Sequence, residues 1–373
     1  MKKLVILMEK KTKIILIILT ILFIAAIGVT AFMSPSTMSK GNTTITDMAN
    51  RTVIIPNSVN TVVATSPPMT TIVYMLAPEK LGGLNFQWTD EELQYVPSQY
   101  KDLPNIGGWY GSNDGSYEQY IAANPDVVIE SLTEGSADNT TIKDRQEKFG
   151  SIPVVGVTDN TDVTKIDSSV KFVGKLVGAE DKANSLCAFN DKYLQIVNKT
   201  NATIPNNQRK TVYYAEGEDG LNTDPNGTAH AQLISLCGGY NVASVQNESG
   251  EGQVQVSVEQ VVGWNPDVII ANDPDFYNKV YSDPTWANIK AVKNHQVYLS
   301  PQSPFKWFDR PPGANIIIGV PWTAKILYPD QYSNIHLKDA TKEFYSNYYH
   351  IDLNDQQVTD LLKSSGLNES QIA

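Results

Sequence analysis

The sequence predicts an α/β fold of two Rossmann-like lobes with mostly parallel sheets, joined by one long connecting helix. Three observations carry that expectation. Short β-branched runs alternate with helical stretches, one helix-turn-strand block occurs twice, and a proline-free stretch of helical periodicity lies between the two copies.

The chain opens with Lys2, Lys3, Lys10, Lys11 and Lys13, followed by an uncharged stretch from Ile14 to Met33. Such a stretch can cross a hydrocarbon core, which takes roughly 20 helical residues, and the lysines keep its leading end cytoplasmic. Residues 1–34 are therefore expected to be a membrane anchor or a signal peptide, Val29-Thr30-Ala31 loosely fitting a cleavage site. Everything after them is extracytoplasmic. Residues 35–50, rich in Ser, Thr, Asn and Met, read as a tether.

Residues 1–34 hold five lysines and Glu9, a net +4, so the remainder of a chain of net charge −11 carries −15. That charge repels phosphate backbones and argues against a nucleic-acid partner. Cys187 and Cys237 are the only cysteines. Outside the cell such a pair can be oxidised, and two separate buried thiols are the alternative.

The N-terminal lobe is expected over 51–164. Thr61-Val62-Val63-Ala64 precedes a helix at Thr70–Leu76, Asp126–Glu130 precedes a helix at Ile142–Phe149, and Pro153–Val157 follows it. This alternation is the βαβ pattern of a parallel sheet covered by helices. The block from Tyr117 to Ile129 then returns as Val258 to Ile270. Glu118 and Glu259, like Pro125 and Pro266, are each 141 positions apart, with Asn-Pro-Asp between helix and strand in both copies. Two similar lobes in tandem follow from that repeat.

Between the copies, Ile166, Val170, Val173, Leu176, Val177, Ala183, Leu186, Phe189, Tyr193 and Ile196 keep near-helical spacing. They predict one connecting helix within 165–205, with Gly178-Ala179 a candidate bend. The C-terminal lobe, 206–373, opens its sheet at Thr211-Val212-Tyr213-Tyr214 and closes with helices near Thr341–Tyr349 and Asp355–Leu362.

In this order the parts resemble the substrate-binding proteins of iron-siderophore and cobalamin ABC importers. The resemblance rests on Leu76-Ala77-Pro78-Glu79-Lys80-Leu81-Gly82-Gly83, the Glu118 block, the connector, Leu236-Cys237-Gly238-Gly239-Tyr240-Asn241-Val242-Ala243 and the Glu259 block. It implies a ligand-capturing subunit that works as a monomer with a permease and its ATPase. In that family a glutamate from each lobe docks the permease, and the matching positions are Glu118 and Glu259.

Open α/β sheets present ligands to loops at the carboxyl ends of their strands. Those loops are rich in aromatics, and Trp88, Trp109, Tyr110, Tyr214 and Trp307, with Arg310 as a cationic fork, form the expected ligand-binding set. A broad face with a rim of oxygens, as in a metal chelate, suits them. A ferric siderophore is expected before a corrinoid or haem. A bare transition metal is the alternative, although His230, His295, His336 and His350 lack close spacing. His230 reads first as a hydrogen-bonded surface histidine and second as a partner for the open site of a chelated metal. Asn222 to Gly227 imitates half of a calcium loop, but Leu233 stands where its bidentate Glu belongs. A tethered sensor or adhesin of the same fold is the other non-enzymatic reading. No nucleophile elbow, phosphate loop, dinucleotide fingerprint or His-Glu-x-x-His motif occurs, so neither catalysis nor a cofactor is expected.

Overall fold

The computed structural model describes residues 41–133, 140–159, 161–245 and 252–372. The expected anchor or signal peptide lies outside them, and no helix of the described residues is long and apolar enough to cross a membrane. The described chain divides into a small unit, the residues up to Thr43 with Pro56–Ser58, and a large unit of Thr44–Ile55 and Val59–Ala373. Both lobes belong to the large unit. The expected tether is corrected at its end: Asn42–Thr46 forms strand β1, in a two-stranded sheet with β2 (Thr52–Pro56). Three threonines and an isoleucine there favour extended backbone.

The first lobe holds β3 (Val62–Ala64), α1 (Pro67–Leu76), α2 (Tyr117–Ala122), β4 (Val127–Thr133), α3 (Thr140–Phe149) and β5 (Val154–Asp159). Its sheet runs β3-β4-β5, all parallel, with Val62 opposite Val127 and Ile129 opposite Val155. Every residue of α1 is buried, as its nearly unbroken apolar sequence requires. Pro67 and Pro68 occupy the first helical turn, where an amide hydrogen is dispensable.

The connector is α4 (Asp167–Val177) followed by α5 (Glu180–Asn201). This corrects the expected single helix. Gly178 adopts φ +68, and the amide of Ala179 donates to the Gly174 carbonyl at 2.7 Å, the bond pattern that ends a helix on a left-handed glycine. The two helices pack against each other. A Cβ on Gly174 would lie 2.4 Å from the Cβ of Ala183, so only glycine allows that approach. Helix α5 alone spans about 33 Å at 1.5 Å per residue.

The second lobe continues with β6 (Thr211–Ala215), β7 (Asn222–Thr223), α6 (Gln232–Leu236), β8 (Tyr240–Asn241), β9 (Val254–Gln255), α7 (Val258–Trp264) and β10 (Val268–Ala271). Then come α8 (Pro274–Lys279), α9 (Lys290–Lys293), β11 (Val297–Leu299), α10 (Gly319–Leu327), α11 (Leu337–Tyr348) and α12 (Asp355–Ser364). Its parallel sheet runs β11-β10-β6-β8.

The internal repeat survives in three dimensions. From Tyr117 to Val128 and from Val258 to Ile269 the two copies share, position by position, the same succession of exposed, half-buried and buried residues. Asn124 and Asn265 both turn through the left-handed region, at φ 47 and φ 46. Asp126 accepts from the amides of Asn60 and Thr61, as Asp267 does from the amide and hydroxyl of Thr211. Each aspartate thereby ties its own strand to the start of the neighbouring one.

The connector is not the lobes' only link. The His350 ring is 2.8 Å from the Tyr74 carbonyl on α1, and a Cβ on Gly313 would lie 3.2 Å from the Cα of Pro68. One apolar core runs continuously from Val62 and Tyr74 to Trp307, Trp322 and Tyr349. Ligand closure that leaves this core intact is necessarily small. Small-angle scattering should therefore show the same radius of gyration with and without ligand, and a clear contraction would contradict the continuous core.

Candidate functional site

The carboxyl ends of β6, β10 and β11 and the segment after β11 bring together a network of ionisable groups. Glu216 follows β6, Asp224 follows β7, and Asp309 and Arg310 lie beyond β11; all three carboxylates are fully buried. Arg310 Nε donates to Glu216 Oε1 at 2.8 Å, and its Nη2 donates to Asp224 Oδ2 at 2.6 Å. Gln253 Nε2 adds a second bond to Glu216 Oε1 at 2.9 Å. Asp309 receives the Tyr214 hydroxyl at 3.3 Å and lies 2.8 Å from His230 Nδ1. Among the described residues, Asp224, His230 and Asp309 are the one group of ligating atoms close enough to share a metal ion.

The electrostatics divide this network. Burial pushes the Glu216 pKa up, but the bonds and charge of Arg310 outweigh it and hold the carboxyl below its ordinary range. Asp224 goes the other way: burial and the adjoining Glu216 carboxylate raise it to about 8. The pair therefore shares one proton near neutrality, held on Asp224. Burial opposes a charge on His230, yet its bond to Asp309 raises the imidazole above the usual histidine value. With Nδ1 committed to Asp309, the ring has Nε2 left for a further partner.

The first lobe contributes Ser66, Ser131 and Asp159 at its strand ends. Ser131 donates to Asp159 Oδ2 at 2.8 Å, and burial pushes the Asp159 carboxyl up to about 6. Ser66 Oγ and, in the second lobe, Asn272 Oδ1 are buried without a hydrogen-bond partner. Half-buried Lys306 makes no ion pair among the described residues; burial lowers its pKa against the fields of Asp273 and Glu92.

The expected aromatic wall requires correction. Tyr214 and Trp307 are fully buried and Trp88 is 4% exposed, so none offers a face for stacking. Trp88 instead packs edge-on against Tyr74 and Phe86. Trp109 is half-buried, but Arg145 covers its ring at 3.8 Å, and Gly115 packs so closely on it that a Cβ there would be 2.7 Å away. Half-buried Tyr110 donates its hydroxyl to the Asn85 carbonyl. Arg310 reaches the site, although as a bound partner of Glu216 and Asp224 and not as a free fork. Of the two states open to the cysteines, the structure has the separate thiols: Cys187 and Cys237 are free and buried. Glu118 and Glu259 are exposed on the first turns of α2 and α7, capped by Ser116 and Ser257.

Sequence reading missed Glu216, Asp224, Asp309 and Arg145 as site-forming groups. The first three stood in loops already marked by their place after strands. Around Glu216 and Asp309 nothing singled the acids out from the neighbouring aromatics, which bear the stronger local signal, and Asp224 was read only within an incomplete calcium loop.

Comparison with known proteins agrees with this architecture. The family model described as periplasmic binding protein matches residues 62–304. The chain is 25% identical over 327 residues to the molybdate-binding protein MolA of Haemophilus influenzae, covering 82% of this chain and 90% of that protein. It is 27% identical over 292 residues to the ABC transporter substrate-binding lipoprotein YvrC of Bacillus subtilis, covering 78% and 86%. Among solved structures, an ABC transporter solute binding protein from Sulfurospirillum deleyianum aligns at 31% identity with a TM-score of 0.78, covering 86% of this chain and 99% of that one.

Proposed function

The chain belongs to the periplasmic binding protein family and is the substrate-binding subunit of an ABC transporter; from that premise we propose that its cargo is a metal chelate, a ferric siderophore before a corrinoid or haem. The observation that carries this reading is the His230–Asp309 pair. A buried carboxylate on Nδ1 fixes the ring and its tautomer, the arrangement that presents Nε2 to a metal. Arg310 argues for a chelate over a bare ion. Its guanidinium already neutralises Glu216 and Asp224, so a naked dication would have to displace it, whereas a chelated metal with one open position needs only the imidazole.

An oxyanion such as molybdate is the second reading. Lys306, half-buried and without an ion pair among the described residues, favours it, as does similarity to a molybdate-binding protein. Extracytoplasmic capture follows from the family, and the N-terminal segment would tether the protein or export it. Glu118 and Glu259 would meet the permease.

Tryptophan fluorescence against ferric siderophores, cobalamin, haem, molybdate and free divalent metals distinguishes these cargoes. A chelate should bind, and His230→Ala should weaken it by about tenfold or more, the usual effect of losing an oriented metal ligand. Binding should also weaken as pH falls through the raised imidazole pKa, because a protonated Nε2 cannot coordinate. Binding of molybdate alone, lost with Lys306→Met and indifferent to His230→Ala, would replace the chelate by an oxyanion.

A further inference from the structure

Gln232, the first residue of α6, ties the two lobes together through its side chain. Its Nε2 donates to the Thr161 carbonyl at 2.6 Å and to the Ala229 carbonyl at 2.6 Å, and its Oε1 accepts the amide of Val163 at 2.8 Å. Thr161 and Val163 belong to the segment by which the chain leaves β5 for the connector, whereas Ala229 lies in the second lobe, one residue before His230. Three bonds of this kind call for a carboxamide. Two carbonyls need two hydrogens and an amide needs a lone pair, and of the side chains only a carboxamide offers both. Turned over, it would set its oxygen against two carbonyls, so the partners also fix its orientation.

The bond to Ala229 bears on His230. The Ala229 carbonyl also accepts the backbone amide of Gln232, and the Ala231 amide donates to the Thr228 carbonyl at 3.3 Å. His230 is enclosed by this turn. Its backbone is therefore held from one side by Gln232, while Asp309 holds the ring from the other, 2.8 Å from Nδ1. On the linker side, Val163 is fully buried, and its carbonyl accepts Asn190 Nδ2 of α5 at 2.9 Å. The amide of Thr161 donates to the Asp159 carbonyl at 3.0 Å, which carries the contact back to the end of β5. The linker is thus anchored twice, to the connector by Asn190 and to the His230 turn by Gln232, and the second of these anchors also reaches the site.

We propose that Gln232 is a positioning residue for His230: its carboxamide sets where the imidazole stands by clamping the His230 turn to the chain that leaves the first lobe. The proposal rests on the reading of His230 as the group that meets the cargo. A ligating imidazole needs its backbone fixed as well as its ring, because a small displacement of the turn carries Nε2 off the line of the metal. Asp309 supplies the second of these constraints and Gln232 the first. The clamp also ties the imidazole to Ser131 and Asp159 at the first lobe's strand ends, so that both walls of the site keep their spacing.

Two substitutions in the whole protein test this. Gln232→Glu keeps the shape but turns an oxygen toward the two carbonyls, and Gln232→Met removes all three bonds without adding charge; should the first fail to fold, the second carries both readouts. The first readout needs no cargo. The proton on Nδ1 of His230, bonded to Asp309, should give a downfield NMR resonance that is absent from His230→Ala and broadened by exchange in both Gln232 variants. The second is fluorescence titration with ferric hydroxamate and ferric catecholate siderophores, whose binding both variants should weaken by about tenfold. In a His230→Ala background Gln232→Met should weaken binding no further, because no imidazole is left to place. Asn190→Ala, which frees the same linker without touching the turn, should leave the resonance as it is. A parental resonance and affinity in both Gln232 variants would overturn the proposal. So would an equal loss of affinity with and without His230, or the same broadening from Asn190→Ala, since each marks a merely structural role. If no siderophore binds the parent, the cargo assignment falls, and the resonance alone decides the clamp: broadening in the Gln232 variants sustains it, and an unchanged signal removes it.

Discussion

Replacing Arg310 with methionine should destabilise the protein by about 3–5 kcal/mol, the usual consequence of removing one partner from a buried ion network. Methionine keeps much of the volume, so the loss reports charge. Three buried carboxylates, Glu216, Asp224 and Asp309, surround the guanidinium, and its bonds to the first two, at 2.8 and 2.6 Å, are shorter than its 3.4 Å contact with the third. Without it, two acids share a dry pocket with no counter-charge. Urea denaturation at neutral pH gives the value. A loss under about 1 kcal/mol would mean that solvent already screens these groups, as it does for surface pairs.

The sign of the pH dependence follows from the two opposed shifts. Asp224 titrates near 8 in the folded protein, far above its ordinary range, so between about 4 and 8 the native state holds a proton that the unfolded chain has lost. Its stabilising contribution is complete below that window and disappears as pH rises through it. Glu216, held low by Arg310, contributes in the opposite sense and loses its part as pH falls through its depressed value. Methionine at 310 removes the pull on Glu216, and both carboxyls then favour protonation when folded. The stability deficit of the variant should accordingly shrink as pH falls from 8 to 5. A deficit that widens on acidification would show that Arg310 does not neutralise this pair.

The tandem lobes were legible because the signal was redundant. Helix, left-handed Asn before Pro, capping serine and buried strand recur together around Glu118 and Glu259, and each feature has its own local cause. The break in the connector was legible only as a candidate. Apolar spacing runs through Gly178 without interruption, and what ends α4 is a left-handed glycine together with the tight Gly174–Ala183 approach, a contact that no linear pattern displays.

The binding site was legible in place and not in composition. Loops after strands were the correct neighbourhood, since topology decides where a parallel sheet opens. Which side chains in those loops face the opening depends on one turn of backbone. Tyr214, last but one in β6, has its ring buried and only its hydroxyl on Asp309, while Glu216, two residues on, meets Arg310. Aromatics attract attention in a sequence because they are large, and size is also the reason that most of them are buried. The free state of Cys187 and Cys237 was equally out of reach, because their separation is a tertiary fact.

The same reasoning converts Trp307 from a ligand wall into a structural prediction. Its side chain has no solvent exposure, its amide bonds to the Pro301 carbonyl, and a Cβ on Gly319 would lie 1.9 Å from its carbonyl oxygen. Trp307→Ala would leave a cavity beside Tyr345, in a core too closely packed to collapse fully. The cost should be about 3–5 kcal/mol, as for other buried tryptophans cut back to alanine. Trp307→Phe fills much of the space, so a large part of that stability should return, less whatever the indole nitrogen contributes beside the Tyr345 hydroxyl. Thermal and urea unfolding of the two variants, with fluorescence titration of the remaining tryptophans by a ferric siderophore, separate the roles. A core residue makes stability recover with phenylalanine while affinity barely changes in either folded variant. Should Trp307→Ala retain parental stability and lose the ligand, the ring would have to reach the cargo in the bound state, and its placement in the core would fail.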